Sequence, residues 1–390
     1  MFPSAIQEPH AALQHFHPTL CRWFSESFAA PTAAQTLAWP VIADGHSTLL
    51  LAPTGSGKTL AAFLVAIDQI MFTPPPVNAD QGAGKGVRVL YVSPLKALGV
   101  DVERNLRSPL AGVRVAAERD GIAYHMPTVG VRSGDTPPAE RHRLNRQPPE
   151  ILITTPESLY LILTSRARDT LRTVETVIVD EIHSLVGTKR GSHLFLSLER
   201  LEALRRSRDK GRKPLQRIGL SATQRPLEEV ARLLGGADAT GDADRLPVPR
   251  PVQIIEAGRR KQLDLTVEVP VEDMARLAEP QFQSGSAAAG PTLPSIWPAI
   301  HPRLVELVRQ HRSTMIFVNS RRLAERLAAS LNELAGEELA LAHHGSIAKD
   351  TRLQIEDRLK RGQLPAIVAT SSLELGIDMG AEPAAGRRRR

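Results

Sequence analysis

Short apolar runs recur along the first two thirds of the chain, separated by segments with helical periodicity. The runs at residues 49–51, 87–93, 127–132, 151–154, 174–179 and 217–220 have the length of buried strands, and polar or small residues follow most of them. Segments such as residues 192–206 place leucines three and four positions apart, which is typical of amphipathic helices. Strands that alternate with helices in this way predict a doubly wound α/β domain on a parallel sheet.

The same alternation returns in the last third of the chain. Strand patterns at residues 314–318, 339–342 and 366–369 are separated by helical patterns at 323–334 and 349–361, and residues 263–269 alternate as a further strand. A stretch rich in Gly, Ala, Asp and Pro comes between the two halves. We therefore predict a first domain at residues 1–236, a linker at 237–252, a second domain at 253–380 and a basic tail at 381–390.

A glycine-rich turn joins the first strand to the first long helix. Its residues are Pro53, Thr54, Gly55, Ser56, Gly57, Lys58 and Thr59. Glycines let backbone N–H groups turn inward, and the positive end of the helix dipole favours a polyphosphate at this place. In such a loop Lys58 is expected to reach the β- and γ-phosphates, and the Thr59 hydroxyl to bind Mg²⁺.

Composition narrows the class of protein. At 390 residues the chain is too long for one core of ordinary size, and no apolar run approaches the roughly 20 residues that span a bilayer. The N-terminus lacks a secretion signal, so we expect a cytoplasmic protein with no membrane partner. The chain has a single cysteine, which excludes a disulfide framework or zinc ribbon made by this chain alone. A net charge of +7 is compatible with a polyanionic partner.

Polar residues at other strand ends suggest a nucleotide site, although each also has a simpler explanation. Asp180 and Glu181 follow the fifth strand, where they would hold Mg²⁺ through water and orient an attacking water. Such a pair is also common in solvated loops. Ser221 and Thr223 follow the sixth strand and fit either coupling to a moving part or plain strand termination. The Gln35 amide can read an adenine edge or lie on the surface.

Taken in order, these segments resemble the superfamily 2 helicases, and look most like the Lhr (large helicase-related) family. The segments, spread over residues 20–380, are Gln35, APTGSGKT, SPLKAL, SGDT, TTPESL, DEIH, SAT, FVNSRR, HHGS and ATSSLELGIDMG. The resemblance implies two RecA-like doubly wound parallel-sheet domains, the second incomplete here, with ATP and Mg²⁺ in the cleft between them. It also implies a partner strand of single-stranded DNA or RNA, 3′-to-5′ translocation, and unwinding of DNA and RNA–DNA hybrid duplexes.

The resemblance further implies roles for single residues. Gln35 would read adenine, with Phe28 a candidate to stack on the ring. Lys58, Asp180 and Glu181 would serve catalysis, and the second domain would present Gly376 and Asp378 to the nucleotide. Coupling of hydrolysis to domain movement would use Ser221, Thr223 and His183. The strand would be contacted by Pro94, Lys96, Arg132, Gly134, Thr155, Pro156, Asn319, Arg321 and Thr370. Because such contacts are mostly to phosphate and sugar, binding should depend on salt and little on base sequence.

The sequence departs from the family after Gly380. The family continues with a strand and a Gln-x-x-Gly-Arg-x-Gly-Arg-type helix that supplies arginine fingers, whereas this chain reads AEPAAGRRRR. The tail is either a basic contact for nucleic acid or the mark of a truncated or frame-shifted copy. An arginine finger contributes roughly 10³–10⁵ in turnover. We therefore expect ATP–Mg²⁺ binding with impaired hydrolysis, and an exposed apolar edge on the second domain.

The sequence also allows comparison with other classes of function. A non-catalytic fragment that binds ATP and nucleic acid, and needs a partner chain to complete its site, is the principal alternative. A P-loop kinase or transport ATPase accounts neither for Gln35 nor for the segment TSSLELGID at residues 370–378. The Asp-Glu-Ile-His box disfavours a DEAD-type RNA helicase.

Overall fold

The computed structural model describes residues 11–73, 86–94, 96–207, 211–222, 225–238, 246–258, 265–269 and 296–370. The chain divides into two compact units, residues 1–259 and 260–390. None of the helices in the described ranges is long and apolar enough to cross a membrane.

The first unit is built on a seven-stranded parallel sheet. In chain order its strands are β1 (Thr48–Leu51), β2 (Val89–Val92), β3 (Val129–Arg132), β4 (Ile151–Thr154), β5 (Thr176–Val179), β6 (Gln216–Ser221) and β9 (Gln253–Glu256). Their spatial order is β3-β4-β2-β5-β6-β1-β9, and each neighbouring pair is parallel. A short antiparallel pair, β7 (Ala237–Asp238) and β8 (Val248–Pro249), lies outside this sheet. The predicted doubly wound α/β class is confirmed.

Helices cover both faces of this sheet, which explains why its strands are almost wholly apolar. The described helices of the unit are α1 (Pro18–Ser27), α2 (Ala33–Ala43), α3 (Lys58–Phe72), α4 (Lys96–Asp120), α5 (Pro138–Arg146), α6 (Pro156–Leu163), α7 (Lys189–Arg206) and α8 (Leu227–Gly235). In one core, the four helices α1, α2, α3 and α4 pack against strand side chains such as Leu50, Tyr91 and Ile178. The other core joins α6, α7 and α8 with the alternate strand positions, such as Leu90 and Val177.

Side-chain caps set the start of several helices. The hydroxyls of Thr32, Thr155, Thr188 and Ser320 each accept a hydrogen bond from the backbone N–H three residues later. The predicted cap at Thr155 is among them, with Pro156 in the first helical position.

The division between the units lies later than the sequence pattern predicted. Residues 253–256, assigned to the start of the second domain, form β9 and pair with β1 in the register Thr48↔Gln253 to Leu51↔Glu256. The Gly- and Pro-rich composition marked an irregular segment, but it could not show that the chain returns to the first sheet before leaving it. The strand expected at 263–269 is also absent from its described part, residues 265–269, where Leu265, Val267 and Val269 are exposed.

The second unit contains a three-stranded parallel sheet in the order β10-β12-β11. Its described elements are α9 (Trp297–Gln310), β10 (Thr314–Phe317), α10 (Arg321–Ala335), β11 (Ala340–His343), α11 (Lys349–Lys360) and β12 (Ala366–Ala369). The α9 and α10 helices pack on one face of the sheet, and α11 packs on the other. The three strands predicted here are therefore all present.

Candidate nucleotide-binding site

The glycine-rich turn lies between the buried end of β1 and the start of α3. Gly55 and Gly57 have φ of +78° and +79°, in the left-handed region that favours glycine. A Cβ on Gly57 would also lie 2.7 Å from Nε2 of Gln35. The turn thus requires glycine at residue 57 for both backbone and space, and it presents the positive end of α3 to a ligand.

Lys58 is buried at the first position of α3, with 7% of its surface exposed. Its Nζ donates a hydrogen bond of 2.7 Å to the carbonyl oxygen of Ala52, across the turn. Its charge also acts on the carboxyl groups that follow β5. Burial raises the pKa of Asp180 and of Glu181, and the positive charge of Lys58 partly opposes both rises. The lysine is therefore close enough to the acidic pair for their charges to interact.

Asp180 is held from two sides directly after β5. The Tyr91 hydroxyl, on β2, donates to its Oδ2, and the backbone N–H of Glu181 donates to its Oδ1 over 2.9 Å. These hydrogen bonds favour the ionised carboxylate, although burial raises its pKa overall. The carboxylate thus has a defined orientation at the carboxyl edge of the sheet.

Glu181 has an unusual backbone conformation. Within the described ranges it alone among non-glycine residues has a positive φ, at +46°. Residues held in such sparsely populated backbone regions cluster at active sites and ligand-binding segments. Burial and the neighbouring Asp180 raise the pKa of its carboxyl, which makes it a better proton acceptor near neutral pH.

His183 connects the acidic pair to β6. Its Nδ1 lies 3.3 Å from Oε2 of Glu181 and 3.2 Å from Oγ of Ser221. Ser221 is fully buried at the end of β6, and its carbonyl oxygen accepts from the N–H of Ala52 over 3.0 Å. Burial and the charge of Lys58 lower the pKa of His183, so the neutral imidazole is favoured. Thr223, predicted to act with Ser221, lies outside the described residues.

Gln35 lies against the turn at the start of α2. Its Oε1 accepts from the N–H of Thr32 over 2.9 Å, and its own N–H donates to the Thr32 hydroxyl over 3.3 Å. That hydroxyl also donates to the carbonyl oxygen of Ser56 over 2.8 Å. Thr32 therefore ties α2 to the phosphate turn. Sequence reasoning missed it, although the Thr-x-x-Gln spacing is the signal of a capping box.

The residues predicted to contact a strand in the first unit lie at the ends of β2, β3 and β4. Arg132 ends β3 and donates to Oδ1 of Asn145 over 2.7 Å. Gly134 is exposed in the next turn, where its carbonyl oxygen accepts from Arg141 over 2.8 Å. At the carboxyl end of β3, arginine side chains therefore lie beside exposed backbone groups.

Three other predicted contacts in this unit are less accessible. Pro94 and Pro156 are buried, and the buried Thr155 hydroxyl caps α6. The side chain of Lys96, at the start of α4, lies outside the described part of the structure. The buried groups define the path of the backbone here rather than offering side chains to a ligand.

In the second unit the predicted contacts also follow strand ends. Asn319 is exposed after β10, and Thr370, after β12, donates its N–H to the carbonyl oxygen of His343 over 3.2 Å. Arg321 begins α10 and donates to Oγ of Ser346 over 2.6 Å. An open groove of about 520 Å³ lies here, lined by Arg321, Arg322, Glu325, Arg326, His344 and Ser346. Gly376 and Asp378 lie outside the described residues.

Two protein-family models match this chain, and both describe helicase domains. A model described as DEAD/DEAH box helicase matches residues 32–231, and one described as helicase conserved C-terminal domain matches residues 300–382. The first match covers slightly more than half of the chain.

Similar proteins extend the match over nearly the whole sequence. The chain is 49% identical to a Lhr helicase and probable uracil glycosylase of Mycolicibacterium smegmatis, and 44% identical to the Lhr helicase/uracil glycosylase of Escherichia coli. These alignments cover 95% and 94% of this chain, but only 24% and 25% of the relatives. The chain thus spans about a quarter of their length.

A solved structure supports the fold as well as the family. The structure of the Mycobacterium smegmatis helicase Lhr bound to ssDNA and AMP-PNP has a TM-score of 0.74 and 52% identity, and covers 95% of this chain and 44% of that one. The two parallel α/β units are therefore RecA-like, and the resemblance found in the motif order is confirmed. This chain belongs to the DEAD/DEAH box helicase family and is homologous to the Lhr helicases over nearly its whole length.

Proposed function

We propose that this chain binds ATP with Mg²⁺ and a single-stranded nucleic acid, as the motor part of an Lhr-like helicase. One observation carries the proposal: the phosphate turn, Lys58, the Asp180–Glu181 pair and Ser221 converge at the carboxyl edge of a single parallel sheet. Ligands of open α/β sheets bind at this edge. The solved mycobacterial Lhr is described as bound to ssDNA and AMP-PNP, which supports both ligands.

The oxygen atoms at this edge suit Mg²⁺, which prefers hard ligands and usually shares them with substrate phosphates. The Thr59 hydroxyl would bind the ion directly, and the Asp180 carboxylate would bind it through water. When bound, Mg²⁺ would neutralise charge on the phosphates. The chain's own residues would do the rest: the turn and Lys58 bind the phosphates, and Gln35 approaches the base.

We propose that Glu181 orients the attacking water. Its raised pKa suits proton acceptance, and its carboxylate is close to Lys58 and His183. His183 in turn contacts Ser221 at the end of β6. A movement of the acidic pair would therefore be transmitted to β6, the strand next to β1. We propose this as the coupling role of His183 and Ser221.

We propose that each unit by itself offers phosphate-binding groups to the strand, with Arg132 at the end of β3 as the principal contact in the first unit and Arg321, after β10, in the second. Single-stranded DNA is the first ligand to test, because the 52% identical structure is described with it. Single-stranded RNA and an RNA–DNA hybrid are competitors in the same assay. Contacts to phosphate predict a marked dependence on salt.

Binding and turnover are separable in this chain. Its 390 residues contain no Gln-x-x-Gly-Arg-x-Gly-Arg-type segment, so we propose that it hydrolyses ATP slowly and does not unwind a duplex unaided. The second candidate is a fragment that binds but hydrolyses nothing until a partner chain completes the site. ATPase rates with and without single-stranded DNA distinguish the two candidates: weak strand-stimulated turnover supports the first, and none supports the second.

Two reciprocal variants test the binding proposal. Lys58→Ala should weaken ATP binding roughly 10- to 100-fold, since a charge-assisted hydrogen bond contributes about 1.5–3 kcal/mol, while binding of single-stranded DNA is retained. Arg132→Ala should retain ATP binding. For single-stranded DNA it should make the negative slope of log K against log salt less steep by about 0.7, because one phosphate contact is lost. Isothermal titration and fluorescence anisotropy measure the two affinities. Unchanged ATP binding by Lys58→Ala would reject the helicase assignment of this site.

A further inference from the structure

A tyrosine occupies a core position of β2 where packing alone calls for an apolar ring. Tyr91 is fully buried, its ring stacks on Phe63 with centroids 5.1 Å apart, and it pairs in register with Ile178 of β5. Its neighbours Val89, Leu90 and Val92 are aliphatic and buried. Burying a hydroxyl is costly unless it finds a hydrogen-bond partner.

The partner of this hydroxyl is the carboxylate of Asp180, 89 positions along the chain. The bond crosses from β2 to the residue that follows the neighbouring strand β5. Because the Glu181 N–H binds the other carboxylate oxygen, rotation of the Asp180 side chain would break two hydrogen bonds at once. A phenylalanine would fill the same space but could not hold the carboxylate.

We propose that Tyr91 is a positioning residue that holds Asp180 in the orientation needed for Mg²⁺–ATP. This inference rests on the proposed function, in which Asp180 binds the ion through water. Tyr91 itself is too deeply buried to contact the nucleotide, so it acts through Asp180. Groups that orient metal ligands typically contribute 10- to 100-fold to metal affinity or activity.

The test compares Tyr91→Phe with the unaltered full chain in AMP-PNP binding, measured by isothermal titration in EDTA and over a series of Mg²⁺ concentrations. Affinity in EDTA should stay within about twofold, whereas the Mg²⁺ concentration at half-maximal enhancement should rise about 10-fold or more. A metal-specific change of this kind is not expected from a loss of packing.

The chain offers a matched control. The Tyr124 hydroxyl also donates to a carboxylate, Oε1 of Glu118, over 2.7 Å, but at the surface. Tyr124→Phe removes the same kind of bond and should leave both affinities unchanged. In the Asp180→Asn background, Tyr91→Phe should have no further effect on the Mg²⁺ dependence.

The outcomes separate this inference from the proposed function. If the unaltered chain shows no Mg²⁺-dependent binding of AMP-PNP, the proposed function fails. If it does, and Tyr91→Phe behaves identically or loses affinity equally in EDTA, only the role of Tyr91 is overturned.

A measurement on the unaltered sequence covers the case in which Tyr91→Phe does not fold. The chain has three tyrosines, so 3-fluorotyrosine labelling gives three ¹⁹F resonances. Tyr124→Phe and Tyr160→Phe assign two of them, and the third belongs to Tyr91. That resonance should shift when Mg²⁺ is added to the AMP-PNP complex, whereas a resonance that does not move would overturn the inference.

Discussion

Single buried charges in the first unit differ in how far their surroundings offset the cost of burial. Asp180 and Glu181 feel the charge of Lys58, which partly opposes the rise in their pKa. Among the described residues, Asp68, also on the helix α3, accepts a hydrogen bond only from the N–H of His17, over 2.9 Å. Burial raises its pKa to about 6. Its ionised form is therefore poorly accommodated by the fold.

Replacing Asp68 by Asn should stabilise the protein, and more so at higher pH. A carboxyl whose folded pKa exceeds its unfolded value of 3.8 takes up protons on folding, so stability is lost as pH rises from about 4 to about 6. The amide keeps an acceptor for His17 and carries no charge. The gain in unfolding free energy should be at most about 3 kcal/mol at pH 8 and about 1 kcal/mol smaller at pH 5. Urea denaturation at both pH values measures it, and an equal effect at the two would contradict the assignment.

Among the elements, the segment after α8 is tied to α7 and β6 through the carboxylate of Glu199. Glu199, on α7, accepts hydrogen bonds from Arg217 of β6 over 2.8 Å and from both terminal nitrogens of Arg250 over 2.9 and 2.8 Å. Arg250 also binds the carbonyl oxygens of Gly235 and Ala237. Because Arg250 lies just before β9, this network positions the chain for β9 to pair with β1 at the edge of the first sheet.

Glu199→Ala should lower the free energy of unfolding by about 3 kcal/mol, because it leaves the guanidinium of Arg217, 1% exposed, buried without its carboxylate. Chemical denaturation measures the loss. The matched control is Glu229→Ala on α8, which removes an exposed pair with Arg232 at 3.2 Å and should cost less than about 1 kcal/mol. Similar losses in the two variants would show that the network is not an anchor.

At the scale of the whole molecule, the second unit has an apolar strand, β10, at the edge of its sheet as far as the described residues show. Met315 and Phe317, on β10, are 42% and 45% exposed. They lie on the same face as Ile367 and Ala369, which α11 covers. An open edge strand with apolar side chains favours association between copies. The net charge of +7 opposes that association by repulsion, most strongly at low salt.

Phe317→Lys should therefore reduce self-association, since a lysine on an edge strand blocks pairing. Sedimentation velocity over a range of protein concentrations, at about 0.5 M salt to screen repulsion, measures the effect. The control is Leu196→Lys on α7, which removes a more exposed apolar side chain, 67% exposed, from a helix rather than a strand edge. Equal sedimentation of Phe317→Lys and the unaltered chain would contradict this prediction.

Much of the fold was predictable because its signals are local. Nine strands of the two sheets, the phosphate turn with Gly57, and the Thr155 cap follow from residue spacing over fewer than ten positions. The candidate site was predictable to the extent that its residues follow strand ends. Neither the buried state of Thr155 and Pro156 nor the positive φ of Glu181 could be predicted, since both depend on neighbours in space.

By itself the sequence determined the alternating α/β pattern, the phosphate turn and the order of helicase motifs, because each depends on side chains close together along the chain. Only the tertiary structure decided that β9 forms the edge of the first sheet and that Arg250, just before β9, binds Glu199, which lies 51 positions earlier. It also decided that Tyr91 holds Asp180. Those contacts join distant segments, and their geometry exists only once the strands have been ordered into sheets.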